Sequence, residues 1–330
     1  MVSSRAMKET PDSHTREDRR RLTEFIKGRT VSLGFDRVGV TRAGSLGSEG
    51  GLLRTWILRG YHGTMEWMRL REEERRDTGR YFPEGKSVVS AAINYYHGLA
   101  RGPLKVSNYA WGDDYHRVLK EKLRRLLTEI RQMFPDVRGM VCVDTSPVME
   151  KAWAQRAGIG WLGKHTNIIT RDFGSWVFLG ELILDVELEY DPPFDQDLCG
   201  SCTACLEACP TGAIVDDYVL DANRCISYLT IEHRGDFPAT ASGDLHGWIY
   251  GCDICQEVCP WNKKFSRPSR EEAFAPRPGM VDRSEKDWEG LTPGEYERIF
   301  RHSPMKRARF SGLKRNVRAN LLSRASTGST

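Results

Sequence analysis

The chain has 330 residues, 39% hydrophobic and 28% charged, enough for two or three domains with a sizeable core and ordinary for a globular protein. No run of ~18 apolar residues occurs, which excludes a helical membrane span, and no apolar stretch follows Arg19-Arg20-Arg21, so neither a secretory nor a twin-arginine export signal is supported. The net charge of +4 is modest but uneven: from Arg301 to Thr330 there are eight Lys or Arg residues and no Asp or Glu.

Residues 1–18 read as disordered. A helical pattern begins near Arg20 and runs towards Leu33, with Leu22, Phe25 and Ile26 on one side. Residues 36–40 read as a short strand, and residues 87–95 as a stronger, β-branched one. The clearest helix spans residues 113–134: Tyr115, Val118, Leu119, Leu123, Leu126, Leu127 and Ile130 recur at helical spacing, and Arg and Lys fill the other face. Residues 140–143 form a short apolar strand. Ser146 then suits a helix N-cap and Pro147 a first helical position, and that helix ends near Gly158. A buried strand spans residues 176–184. The mixture suggests one α+β domain over residues 19–190, with Asp191-Pro-Pro193 as its boundary.

Nine cysteines follow a pattern of their own. Eight fall within the 61 residues from Cys199 to Cys259, and Cys142 stands apart in an apolar strand as a small core residue. Cys199-x2-Cys202-x2-Cys205-x3-Cys209-Pro210 matches the bacterial ferredoxin run, in which three thiolates wrap one cubane and the fourth serves another. The second half, Cys252-x2-Cys255-x3-Cys259-Pro260, is one close thiolate short, and Cys225 can supply it. Cys199, Cys202, Cys205 and Cys259 then hold one 4Fe–4S cluster; Cys209, Cys225, Cys252 and Cys255 hold the other. Paired Cys-x2-Cys is also zinc spacing, but the three-cysteine run ending in Cys-Pro, and its return, are far more specific. Such clusters carry electrons. No Gly-x-Gly-x-x-Gly follows a strand, so no nicotinamide site is evident, and the long N-terminal domain is expected to hold the electron acceptor.

Four further segments are informative: Tyr61-His-Gly-Thr-Met-Glu-Trp-Met68, Tyr109-Ala-Trp-Gly-Asp-Asp-Tyr-His116, Val143-Asp-Thr-Ser-Pro-Val-Met-Glu150 and Ala157-Gly-Ile-Gly-Trp-Leu-Gly-Lys-His-Thr-Asn167. With the cysteine module and Lys314-Arg-Asn316, they make the chain resemble the epoxyqueuosine reductases over roughly residues 20–320. These are cobalamin-dependent enzymes that finish queuosine synthesis in tRNA. The resemblance implies an N-terminal α/β cobalamin-binding catalytic domain at 19–190, a ferredoxin-like two-cluster module at 191–265, and a basic helical C-terminal segment at 266–330 with a disordered end.

It also implies that an external donor of flavodoxin or ferredoxin type delivers electrons through the clusters to cobalt, which acts on the epoxide of the tRNA wobble nucleoside. Asp144 is then the proton donor, with a carboxyl whose pKa is raised beside the corrin. Trp161 would pack on the corrin face, Gly163 would admit it, and Lys164, His165 or Asn167 would meet its amide edge. Asp253, beside Cys252, would approach from the other side. The further helical-repeat domain of some homologues is expected to be absent. A cytoplasmic monomer is expected. The nearest rival is a reductive dehalogenase, which pairs the same cofactors but usually carries an export signal. Lys306, Arg307, Arg309, Lys314, Arg315 and Arg318 are candidate contacts to the tRNA backbone; the alternative is that their stems pack on the protein.

Overall fold

The structure, a computed structural model, describes residues 15–238 and 245–327, with side chains to residue 324. Four strands form its main sheet: β1 (Arg37–Arg42), β2 (Ser87–Asn94), β3 (Gly139–Cys142) and β4 (Val177–Leu184). Their order is β1-β2-β4-β3, and every neighbouring pair is antiparallel. The expected α/β character of this domain therefore does not hold. It is α+β, because no helix joins two parallel neighbours of this sheet.

All eight residues of β2 are buried, so both faces of the sheet are covered. Side chains alternate between the faces. Val89, Ala91 and Ile93 meet the helices Arg16–Ser32 and Tyr115–Met133, whereas Val88 and Ile183 meet the helix Glu150–Arg156. The long helix buries Val118, Leu119, Leu123, Leu126, Leu127 and Ile130, which is the stripe read from the sequence. Asp114 caps it by accepting the His116 amide N–H.

Two local expectations are corrected. Residues 15–18 are ordered, because Thr15 and Asp18 form a reciprocal capping box that starts the first helix at Arg16; residues 1–14 lie outside the described residues. Ser146 and Pro147 do not start a helix. The amide of Thr145 bonds the Val143 carbonyl, and that of Val148 bonds the Ser146 carbonyl. These tight three-residue turns use up the segment, and the helix begins only at Glu150. Asp144 itself takes a left-handed φ of 52°.

The cysteine module sits directly on the sheet domain. Asp191, at the expected boundary, accepts the Val40 N–H and pairs with Lys27 at 2.6 Å. Trp56 donates its indole N–H to the Leu220 carbonyl, and the Tyr228 hydroxyl accepts the Thr64 amide. The chain from Trp56 to Thr64 is thereby clamped onto the segment that carries Cys225.

The basic C-terminal helix, Arg309–Thr327, braces the same module and runs through residues 325–327, which were expected to be disordered. Arg315 donates to the carbonyls of Leu229, His233 and Gly235 and stacks on Phe237 at 4.1 Å. Asn316 donates to the carbonyls of Thr230 and Ile249. These side chains satisfy carbonyls at the end of the helix Ile226–Ile231, which follows Cys225. Arg307 forks onto Glu232, Lys306 pairs with Glu297, and Lys314 donates to the Glu289 carbonyl. The expectation of tRNA contacts is thus corrected for these four cations, whose charge is engaged within the chain. Arg309 and Arg318 remain exposed with no such bond described. Arg315→Ala should leave the half-buried Leu229 and His233 carbonyls without this partner and remove the stacking on Phe237, and urea unfolding should show a lower midpoint. An unaltered midpoint would make this brace ornamental.

Candidate functional site

All nine cysteines are free thiols. Cys142 is fully buried beside Val88 and Ile183, and burial pushes its thiol up to about 12, so it behaves as a core residue. The other eight gather in the module. Cys199, Cys202, Cys205 and Cys259 line one cavity of about 180 Å³ with Lys164, His165, Ile169, Leu198, Ala204, Pro260 and Trp261. Burial pushes the Cys205 thiol up to about 11, and its neighbours Cys199, Cys259 and Cys202 add to the rise. Burial likewise raises Cys225, Cys252 and Cys255. Cys209 is the charged neighbour of Cys225, and Cys225 that of both Cys252 and Cys255. Cys255 also feels Cys205 and Cys209, so the two groups adjoin.

Thiols crowded in this way resist ionising until a cationic metal core compensates them. Among the described residues, no three metal-binding side chains converge on a point suited to one ion. A zinc ion needs sulfurs converging at about 2.3 Å, whereas a cubane holds its thiolates apart around eight core atoms. The arrangement fits clusters better than zinc.

The segment 158–167 folds as a hairpin, Trp161–Leu162 pairing with Ile168–Ile169. The glycines expected to admit a corrin serve this pairing. A Cβ at Gly160 would lie 2.1 Å from the Ile169 carbonyl oxygen, and one at Gly163 would lie 2.6 Å from Ile169 Cδ1, so both glycines admit the chain's own second strand. Trp161 is 1% exposed and packs between Phe194 and Trp261, next to Cys259, with no face left open. Lys164 and His165 turn into the cysteine cavity; Lys164 pairs there with Asp217 at 3.0 Å. Burial, then the charge of Lys151, holds His165 down at about 4, so its ring is neutral. Asn167 alone of these faces Lys151, whose Nζ lies 3.3 Å from its Oδ1. Asp253 is buried, and its two oxygens accept the Ser107 hydroxyl and the Asn108 amide, so it ties that loop to the module.

Asp144 opens on different ground. Its side chain keeps 57% of its surface exposed, and Oδ2 lies 2.7 Å from His116 Nε2. His116 Nδ1 lies 2.7 Å from Asp114 Oδ1. Burial alone would lower His116, but its bonds to the two carboxylates raise it to about 9. Burial likewise pushes Asp144 up, yet the His116 bond and charge, with the Tyr115 hydroxyl, bring it below the ordinary 3.8. The expectation of a raised Asp144 is therefore corrected: the shared proton rests on His116. That histidine lies in one of the quoted segments, but nothing local marks it out, because its partner is 28 residues away.

Lys151 defines the space in front. It is exposed, yet loss of hydration lowers its ammonium pKa, and its charged neighbours include Glu150, Cys255, Asp144 and Cys225. The protein surface around this exposed lysine therefore adjoins both Asp144 and the second cysteine group. Nearby are two acids the sequence reading did not single out, the half-buried Glu150 and the fully buried Glu181. Glu181 on β4 accepts the Ser90 hydroxyl across the strand pair, and burial raises it well above 4.5. Burial and then the charge of Asp144 push Glu150 up to about 8. Both acids therefore hold their protons more strongly than an ordinary glutamic acid does.

Comparison with known proteins agrees with this geometry. Residues 198–262 match the family described as "4Fe-4S double cluster binding domain", and residues 75–145 match "Epoxyqueuosine reductase QueG, DUF1730". The chain is 42% identical over 297 residues to an epoxyqueuosine reductase of Cellulophaga algicola, covering 89% of this chain and 96% of that protein. It is 44% identical over 274 residues to one from Synechocystis, covering 82% and 94%. Its fold matches a crystal structure of epoxyqueuosine reductase with an epoxyqueuosine-modified tRNA-Tyr stem loop, with a TM-score of 0.81 and 32% identity over 91% of this chain and 81% of that one. Another such enzyme, from Bacillus subtilis, has its catalytic loop swung out of the active site, at a TM-score of 0.82. With identities above two fifths across most of its length, and both residues 75–145 and the cysteine module matched, the chain belongs to the epoxyqueuosine reductase family.

Proposed function

We propose that this chain reduces epoxyqueuosine to queuosine at the wobble position of tRNA, at the surface between Asp144 and the second cysteine group. The observation that carries the reading is the His116–Asp144 pair, whose exposed carboxylate shares the neighbouring Lys151 with Cys225 and Cys255. In this reading residues 19–190 bind cobalamin, residues 191–265 carry the clusters and residues 266–330 brace them. The cluster ligands are Cys199, Cys202, Cys205 and Cys259 for the first, and Cys209, Cys225, Cys252 and Cys255 for the second.

Two 4Fe–4S clusters supply single electrons, and cobalamin, when bound, supplies a reduced and nucleophilic cobalt. The surface around Lys151 suits such a group: it adjoins the second cysteine group and offers Lys151 and Asn167 to polar ring edges. The net change consumes two electrons and two protons and releases the epoxide oxygen as water. The residues of this chain handle the protons. Asp114 orients His116 from behind, and His116 holds a proton against Asp144 Oδ2. Asp144 passes that proton to the departing oxygen and is recharged by His116. The left-handed turn at Asp144 aims the carboxyl outward. Glu150 and Glu181, which hold their protons strongly, add little repulsion there, so the charge at Asp144 is set by His116.

An electron donor of flavodoxin or ferredoxin type, a cytoplasmic location and a monomeric state complete the proposal. No helix of the described residues is long and apolar enough to cross a membrane. The test is turnover by anaerobically purified chain, loaded with cobalamin and given a chemical reductant, on an epoxyqueuosine-containing stem loop. Mass spectrometry of the released nucleoside should show the loss of one oxygen. No conversion, with dehalogenation of a haloarene under the same conditions, would replace this reading with the dehalogenase one.

A further inference from the structure

We infer that the Nε2–H of His165 donates a hydrogen bond to a sulfur of the first iron–sulfur cluster and raises the reduction potential of that cluster. The inference rests on the reading that Cys199, Cys202, Cys205 and Cys259 hold a cluster.

The argument starts from the hairpin. Its loop closes through Gly163 N–H to the Asn167 carbonyl and Thr166 N–H to the Gly163 carbonyl, each at 2.8 Å, and Thr166 takes a left-handed φ of 64°. That tight closure turns Lys164 and His165 inward, to 6% and 4% exposure. His165 Nδ1 accepts the Asn167 backbone N–H at 3.3 Å. A nitrogen that accepts carries the lone pair, so the single ring proton sits on Nε2. Nε2 is buried and has no hydrogen-bond partner among the described residues. Buried donors are rarely left unpaired in folded proteins.

The cavity around the ring offers few acceptors. Ile169, Leu198, Ala204 and Pro260 contribute apolar surface, and Trp261 already donates its N–H to the Leu198 carbonyl. Lys164 is itself a donor and is held by Asp217. Among the side chains that line the cavity, the remaining acceptors are the four cysteine sulfurs, joined by the sulfides of a cluster they would hold. A hydrogen bond to sulfur withdraws negative charge and favours the reduced, more negative cluster. His165 is thus a positioning and tuning residue for an electron carrier, where the family resemblance had suggested a corrin contact.

The test uses the full chain with both clusters and follows each by electron paramagnetic resonance during redox titration. His165→Leu removes the donor; His165→Gln keeps an N–H of similar reach. At a fixed poise, His165→Leu should lower the reduced-to-oxidised ratio of one cluster about tenfold, equivalent to about 59 mV for one electron. The other cluster should titrate as before, and His165→Gln should recover most of the loss. In the wild type, exchange of N–H for N–D should shift the iron–sulfur stretching bands in resonance Raman spectra, and the shift should vanish in His165→Leu. Unchanged potentials in a fully loaded His165→Leu variant would overturn the inference. Should that variant lose its cluster, the absence of any deuterium shift in the wild type would overturn it instead. Failure of the underlying reading looks different: Cys199→Ser would then keep both clusters intact.

Discussion

Asp144→Asn should keep both clusters and still bind cobalamin, yet turn over epoxyqueuosine about 10²–10⁴-fold more slowly, the usual contribution of a positioned general acid. The asparagine keeps the size of the side chain and its left-handed turn, since Asn tolerates that conformation better than most residues. What it removes is the carboxylate that can take up the His116 proton and pass it on, since an amide oxygen accepts the hydrogen bond but not the proton. The pH dependence carries a second signature. His116 is raised from the ordinary 6.5 to about 9 by its two carboxylates, once the opposing effect of burial is overcome. Its proton is therefore held through neutral pH and lost as pH rises through about 9, so wild-type activity should have its alkaline limit there. In Asp144→Asn that limit should move down towards 6.5, by part of the way, because Asp114 still holds Nδ1. Stability follows the same sign: the His116 contribution is complete below about 6.5 and is lost as pH climbs through about 9. Single-turnover kinetics at several pH values would decide. Near-wild-type turnover with an unmoved alkaline limit would reduce Asp144 to a turn residue.

Cys225→Ala should cut the iron content from about eight atoms per chain to about four, since 4Fe–4S clusters are held by four thiolates, and abolish turnover with it. Cys225 is the ligand that neither half of the ferredoxin-like repeat contains, and it starts the helix Ile226–Ile231. The C-terminal helix braces that same helix through Arg315 and Asn316, so the chain spends a long-range packing interaction on placing one sulfur. Loss of this cluster interrupts the path to the surface around Lys151, because Cys225 and Cys255 are the cysteines that Lys151 faces. Cys142→Ala is the control. Its thiol is buried beneath the sheet, and its removal should leave the iron content unchanged. Full iron in Cys225→Ala would reassign the second cluster.

Much of this protein was legible along the chain because the governing interactions are local. The spacing of Cys199, Cys202, Cys205 and Cys209 restricts them to one tight loop, and the apolar stripe from Val118 to Ile130 repeats with the helical period whatever it packs against. A capping box such as Thr15–Asp18 spans four residues and could have been read from the sequence. What tertiary structure alone decided lies in contacts between distant segments. Asp144 was visible as a motif residue, but its charge state follows from His116, 28 positions away on another element. His165 and Lys164 were visible as polar residues in a glycine-rich stretch; only the pairing of Trp161 with Ile169 turned them towards the cysteines. Arg315 read as a cation for tRNA until the carbonyls of Leu229, His233 and Gly235 were brought to it. The physical reason is the same in each case: periodicity and spacing follow from the geometry of one chain segment, whereas a proton's position, a hydrogen-bond partner or a salt bridge depends on which segments the packed core brings within about 3 Å of each other.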